Sequence, residues 1–269
     1  MGGKIFAVLV ILIALASAVP IINHTFLGAT VAPPEDISTH GAEIDKQLDE
    51  TMLEAGLSFL AAQILLGLFV WQSAGRTGTL KNFPGGAKYL VIAALVLVGA
   101  EALALGAIGT KAWARVYFQP ASADALPIQV QAGQFAFYFR YPGPDGKFGE
   151  LHPDKINEGN ANYFGLDPEN DVAARDDIQS GELVVPVNKE VHLMMHAKDV
   201  GHSFYVRELR IQQDFVPGLD LQLHFTATKT GKYEIVCTQL CGLGHYNMKA
   251  YLNVMSQADF DNWLKAQSQ

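Results

Sequence analysis

Two apolar runs, residues 55–71 and 89–108, constrain this chain more than any other feature. Ser58 and Gln63 are the only polar side chains in the first, and Glu101 is the only ionisable one in the second. Each run comes close to the ~20 residues that cross a bilayer as a helix. Without water at hydrocarbon depth, every backbone N–H and C=O must be paired within the segment, so a helix is the form such runs can take. Residues 51–110 therefore predict a two-helix transmembrane hairpin, with a buried hairpin of a soluble protein as the alternative. The linking stretch carries Arg76, Lys81 and Lys88 and no acid, whereas residues 23–50 hold Glu35, Asp36, Glu43, Asp45, Asp49 and Glu50 against Lys46 alone. The positive-inside rule puts the link in the cytoplasm, and both hairpin ends with everything after them outside.

Residues 1–22 begin with Lys4 ahead of an apolar run that closes on Ala16-Ser17-Ala18, the pattern of a secretory signal peptide. The run extends to Ile22 through Pro20, so a signal anchor is the other reading. Residues 23–50 then form a polar extracytoplasmic segment. Glu101, near the outer end of its run, reads as a group that snorkels or pairs with a neighbouring subunit.

From residue 127 the pattern changes to period two, the signature of strands. Eight short candidates fall at 128–130, 134–141, 182–185, 191–196, 203–210, 221–225, 233–236 and 249–254, separated by Gly, Pro and Asp clusters. They predict an antiparallel sandwich or barrel over residues 120–256. Residues 257–269 form a tail in which Phe260, Trp263 and Leu264 have helical spacing. The net charge of −8 argues against nucleic acid, which calls for a basic face. Ten acids against three bases between Asp145 and Glu182 put −7 in one stretch, which reads as a solvated surface loop. An acidic surface there could also steer a basic partner.

The chemistry lies in Cys237-Thr-Gln-Leu-Cys241-Gly-Leu-Gly-His245-Tyr-Asn-Met248. Both cysteines of the chain are here, followed by a histidine and a methionine, so four soft or borderline donors can converge on one point. In an outward-facing domain a disulfide is the plain alternative, but it leaves His245 and Met248 unexplained. Structural zinc sites use tighter paired spacings, and a thioether is a poor zinc ligand. Thiolate, imidazole and thioether together suit an electron-transfer copper site. A mononuclear blue site uses one thiolate, so two thiolates with two imidazoles point to a pair of coppers bridged by sulfur. The second imidazole is assigned to His202, because Asp199-Val-Gly-His-Ser-Phe204 ends one strand and starts the next where loops can meet. His192 and His196 share a strand face with Met194 and read as structural. His24, His40 and His152 lack ligand-like surroundings, and His224 points outward.

These residues resemble subunit II of the haem-copper cytochrome c oxidases. The specific stretches are Asp199-Val-Gly-His-Ser-Phe204, Asp214-Phe-Val-Pro-Gly218, Gly231-Lys-Tyr-Glu and the Cys-x3-Cys-x3-His-x2-Met motif. The resemblance implies a transmembrane helical hairpin followed by an all-β, cupredoxin-like Greek-key sandwich with a dinuclear copper A centre. His202, Cys237, Cys241, His245 and Met248 would be side-chain ligands, with Gln239 offering its backbone carbonyl. It further implies a bacterial-type plasma membrane, a periplasmic C-terminal domain, and other oxidase subunits alongside. The centre would accept electrons from cytochrome c and pass them to haem in subunit I, where oxygen is reduced to water and protons are pumped.

The chain departs from that family in three places. Gln239 replaces the usual glutamate, and a neutral amide is a weaker ligand for a hard cation, which argues against magnesium at the subunit interface. The aromatic run at 134–141 lacks the tryptophan through which electrons enter, so Phe135 or Phe137 would serve. The glutamate of many relatives at the cytoplasmic start of the second helix is also missing. Two other functions fit the same motif: the copper A subunit of a nitric oxide reductase, and a membrane-tethered copper-binding or delivery protein.

Overall fold

A computed structural model describes residues 2–22, 33–74 and 86–267. Arg76 and Lys81 of the positive link, and His24, lie outside them. The chain divides into a helical unit, Met1–Pro33 with Glu43–Ala112, and a β unit, Pro34–Ala42 with Trp113–Gln269.

The helical unit contains α1 (Gly2–Ile22), α2 (Gly41–Ser73) and α3 (Gly86–Tyr117). All three are long and apolar enough to cross a membrane. Helix α1 runs unbroken through Pro20 and packs on α2 through small residues, with Ala7 and Ala14 fully buried. A Cβ at Gly67 would stand 2.5 Å from the Ile11 side chain, so glycine permits this approach. Lys4 lies 5.2 Å from the Trp71 ring centroid at the same end. Gln47 of α2 donates to the Leu105 carbonyl of α3 at 3.4 Å, and half-buried Glu101 sits one turn earlier on that face. Helices α2 and α3 have 33 and 32 residues, so each outruns its apolar run. At 1.5 Å per residue they extend ~50 Å, well beyond a hydrocarbon core of ~30 Å. The polar segment expected over 23–50 therefore ends in helix: hydropathy marks only the stretch that meets lipid, while backbone pairing continues past it.

The β unit is a sandwich of two five-stranded sheets. Its strands are β1 (Leu126–Gly133), β2 (Ala136–Tyr141), β3 (Ile178–Ser180), β4 (Leu183–Pro186), β5 (Glu190–Ala197), β6 (His202–Val206), β7 (Ile211–Phe215), β8 (Leu221–Thr226), β9 (Gly231–Val236) and β10 (Lys249–Met255). The sheet orders are β3-β2-β1-β5-β8 and β4-β10-β9-β6-β7. The sandwich is not wholly antiparallel, because β1 pairs parallel with β5 and β4 parallel with β10. Those partners are far apart in sequence, and local alternation carries no information about their relative direction. The strand expected over 203–210 divides at a 3₁₀ turn, Arg207–Leu209, after which Arg210 takes a left-handed φ of 58° and β7 returns.

Alternate residues from both sheets fill the core. Phe137 meets Phe204 edge-on at 6.4 Å and Phe215 at 6.0 Å, all three buried. Burial of each such ring stabilises the fold by about 1.5–3 kcal/mol. Tyr141 crosses between sheets, donating to the Val184 carbonyl at 3.0 Å and accepting from the Val184 N–H at 2.6 Å. Trp263 and Phe260 of α4 (Gln257–Gln267) close over that ring, and Ser256 caps the helix by accepting from Asp259 N–H at 3.2 Å.

Residues 34–42 belong to this unit. Ile37 is buried in the core, its N–H donates to Glu208 O at 3.0 Å, and Thr228 N–H donates to its carbonyl at 2.7 Å. A bridge between Ser38 and Ala227 covers the end of edge strand β8. His40 lies buried with Nε2 2.9 Å from Leu209 O, and that burial lowers its pKa.

The acidic stretch over 142–177 folds against the sheet while leaving Asp145, Glu150, Asp154, Glu158 and Glu169 exposed to solvent. Phe164, Leu166 and Ala174 make a small core beside Tyr138 and Tyr163, whose rings stack at 3.8 Å. Arg140 of β2, fully buried, pairs with Asp177, and donates to Gln129 Oε1 at 2.9 Å and Gly149 O at 2.6 Å. A charge count cannot reveal that one acid of this stretch neutralises a guanidinium in the sheet.

Candidate metal centre

Three connections meet at one end of the sandwich: the β1–β2 turn, residues 198–201 between β5 and β6, and residues 237–248 between β9 and β10. The last is closed at its base by a bond from Cys237 N–H to Met248 O of 3.2 Å. Within it Cys237 and Cys241 are free, buried thiols with sulfurs 3.9 Å apart, well beyond the ~2 Å of a disulfide bond. From Cys241 Sγ it is 3.5 Å to His245 Nδ1 and 3.7 Å to Met248 Sδ, and from Cys237 Sγ 3.2 Å to the carbonyl oxygen of Gln239.

His202, first residue of β6, comes from a different part of the chain. One of its ring nitrogens and the two thiols lie within 4.8 Å of one another. Its Nε2 sits 2.7 Å from Asp199 Oδ1, while Nδ1 is buried without a hydrogen-bond partner among the described residues. A buried, unpartnered nitrogen costs roughly 1–3 kcal/mol unless something binds it, and two thiols stand beside it. With the thioether and the second imidazole, this donor set fits copper. Burial, then the neighbouring Cys237, pushes the Cys241 thiol up to about 11, so metal binding must displace its proton.

Two residues outside the expected ligand set brace the centre. Asp199 accepts from Gln134 N–H through Oδ2 at 2.8 Å and from Val200 N–H through Oδ1 at 2.7 Å. Burial opposes its ionisation, but these N–H groups and His202 outweigh it and hold the carboxyl below its ordinary range. Gln134 Nε2 donates to Cys241 O at 2.5 Å. Asp199 stands at i−3 to His202 in the quoted motif, a usable signal; nothing local marks Gln134.

Phe135 and Phe137 part company. Phe137 is core, 2% exposed, and cannot meet a partner at the surface. Two residues occupy the β1–β2 turn, so Phe135 leaves the strand alternation that placed it on the same face. Its ring lies over the metal loop, where a Cβ at Gly244 would come within 2.5 Å of it and one at Gly242 within 3.2 Å. Gly242 also has φ +135°, so glycine is required there twice over. Around this ring Leu240, Leu243 and Tyr246 are exposed, Leu243 at 97%.

Among the described residues, the remaining histidines stay apart from the centre. His192, His196 and His224 lie on the outer face of β5 and β8, with His192 Nε2 2.9 Å from Gln222 Oε1 and His224 Nδ1 2.8 Å from Glu190 Oε1.

Residues 169–255 match the family model for the cytochrome c oxidase subunit II periplasmic domain. A relative from Thermostichus vulcanus, a cytochrome c oxidase subunit 2, is 45% identical over 86 residues, 32% of this chain and 26% of its own length. The crystal structure of the periplasmic domain of subunit II of a cytochrome oxidase from Bradyrhizobium japonicum is 26% identical, covering 55% of this chain and 95% of that one with a TM-score of 0.40. An alternative cytochrome c oxidase subunit 2 from Bradyrhizobium diazoefficiens is 30% identical over 263 residues, 97% of this chain and 91% of the relative. On that near full-length similarity, the chain belongs to the cytochrome c oxidase subunit II family.

Proposed function

We propose that this chain is the electron-accepting subunit of a terminal respiratory oxidase in a bacterial-type plasma membrane. It takes electrons from cytochrome c at a copper A centre and passes them to haem in subunit I, where oxygen is reduced to water. His202, Cys237, Cys241, His245 and Met248 would hold two copper ions through their side chains, and Gln239 through its carbonyl. The observation that carries this reading is the unpartnered, buried Nδ1 of His202 beside two free thiols. When bound, a copper pair held by these residues would supply a one-electron couple with its charge spread over two metals.

The protein's own residues do the rest. Asp199 fixes which His202 nitrogen faces the thiols, since its carboxylate takes Nε2. Strands behind each loop restrict movement of the ligands, which keeps reorganisation small when charge changes. Phe135 covers Gly242 and Gly244 and is our candidate for the electron port. Exposed Leu240, Leu243 and Tyr246 give the loop an apolar surface of the kind that marks protein docking. The β unit would stand on the periplasmic side, as the acidic approach to α2 and the basic link after it suggest.

The test is the metal content and spectrum of the chain purified in detergent with whatever accompanies it. Two coppers per chain, strong visible absorption, a mixed-valence spin signal, a haem-containing partner and oxygen uptake driven by reduced cytochrome c are expected. A single zinc without copper overturns the site. Copper without a haem partner identifies instead a tethered copper-binding or delivery protein.

A further inference from the structure

Away from the cysteine loop, strand β5 presents a second set of soft donors. Its inner positions Val191, Leu193, Met195 and Ala197 are buried in the core, so Met194 and His196 share the outer face. Gln222 of β8 lies opposite Met194, and Asp220 precedes β8. His196 Nδ1 stands 3.2 Å from Asp220 Oδ1, which leaves Nε2 as the nitrogen with its lone pair available. Met194, His196, Asp220 and Gln222 line a cavity of about 660 Å³, walled on its far side by Leu151 and Phe164 from the folded acidic stretch.

We propose that Met194 and His196 form a binding site for monovalent copper, separate from the cysteine loop. Side chains two apart on one strand face rise from points about 6.6 Å apart, within reach of a shared ion for a thioether and an imidazole. That donor pair selects a soft monovalent ion over calcium or magnesium. A carboxylate on the other ring nitrogen is the usual partner of a metal-bound histidine, fixing the tautomer and raising basicity. Asp220 also supplies a negative charge beside a cation. The cavity opens to solvent and has room for a third donor from a delivering molecule.

The use of such a site rests on the proposed function. The four side chains Cys237, Cys241, Met248 and His202 are buried, so copper must reach them from outside. Strand β5 ends at Ala197, five residues before His202. An ion held on this strand would wait on the domain that consumes it, and no electron moves on binding.

The experiment uses the full-length chain in detergent, without oxygen, carrying C237S and C241S to remove the thiolates. Cu(I) alone is titrated against a competing chelator. One equivalent should be retained, with sulfur and nitrogen neighbours in its X-ray absorption spectrum. Met194→Leu, which conserves volume and so the fold, and His196→Gln should each weaken binding by about tenfold or more, and Asp220→Asn by a similar factor. No retained equivalent, or an affinity unchanged by Met194→Leu and His196→Gln, overturns the proposal. Copper A formation is read separately on the chain with both cysteines, from its absorption and spin signal. Failure there with Cu(I) retained here would sink the functional reading and leave this site standing.

Discussion

Replacing Asp199 tests whether the centre is held from outside its ligand set. The carboxylate is 2.7 Å from His202 Nε2 and also binds the N–H groups of Gln134 and Val200. A hydrogen bond to a charged group contributes about 1.5–3 kcal/mol. At 1.4 kcal/mol per tenfold, loss of the His202 bond alone should weaken copper binding by roughly 10- to 100-fold. Outer partners of metal-bound histidines give the same range, about 10–100-fold, when they are removed. Asp199→Asn keeps one acceptor oxygen and should fall at the weak end of that range. Asp199→Ala also frees the Gln134 N–H, so the turn under Phe135 shifts, and it should fall at the strong end with slower electron uptake. Copper competition against a chelator, with stopped-flow reduction by a cytochrome c, measures both. If Asp199→Ala is folded by circular dichroism yet binds copper as tightly as the parent, the ligand geometry does not depend on this carboxylate and the argument fails.

Phe135→Ala should slow electron uptake in stopped flow with the copper spectrum unchanged, whereas Phe137→Ala should cost about 3–5 kcal/mol in denaturant unfolding, since its ring fills the core. Asp177→Ala leaves the guanidinium of Arg140 buried without its counter-charge and should destabilise by about 3–5 kcal/mol, with new protease cleavage within residues 142–177 as the local readout. In the reduced, metal-free chain the Cys241 thiol ionises at about 11 when folded against an ordinary 9.0 when unfolded. Stability should thus be unaffected below pH 9 and fall between pH 9 and 11 by roughly 2–3 kcal/mol, a loss that denaturation at fixed pH would detect and that copper should abolish.

Much of this was legible because it rests on local pattern. Period-two alternation located eight of the ten strands, and β3, with three residues, is too short to show a period. Residues 257–267 announced α4 through Phe260, Trp263 and Leu264. What local pattern missed depends on distant partners. Ile37 looks like one apolar residue in a polar stretch until the core takes it up beside β8. Asp177 is one acid among ten until Arg140 claims it from β2. The parallel pairs β1 with β5 and β4 with β10 are likewise set by assembly of the sandwich.

The same division runs through the metal site, and it explains why the centre is braced as it is. Four donors were visible because one twelve-residue loop carries them. A loop alone would hold them loosely, since beyond the Cys237–Met248 closure its internal backbone bonds are short-range turns within residues 242–248 that leave Cys241 and His202 untied. Rigidity comes from a chain of contacts that passes between the sheets: Cys241 O to Gln134 Nε2, Gln134 N–H to Asp199 Oδ2, and Asp199 Oδ1 to His202 Nε2. Gln134 belongs to the turn of one sheet, and His202 and the cysteines to the other. The turn that places Phe135 on Gly242 and Gly244 is thereby the turn that orients His202. The proposed electron port and the proposed ligand set are therefore not independent parts, and a change that moves one moves the other. The brace does not depend on which aromatic ring stands at position 135, because Gln134 and Asp199 carry its hydrogen bonds.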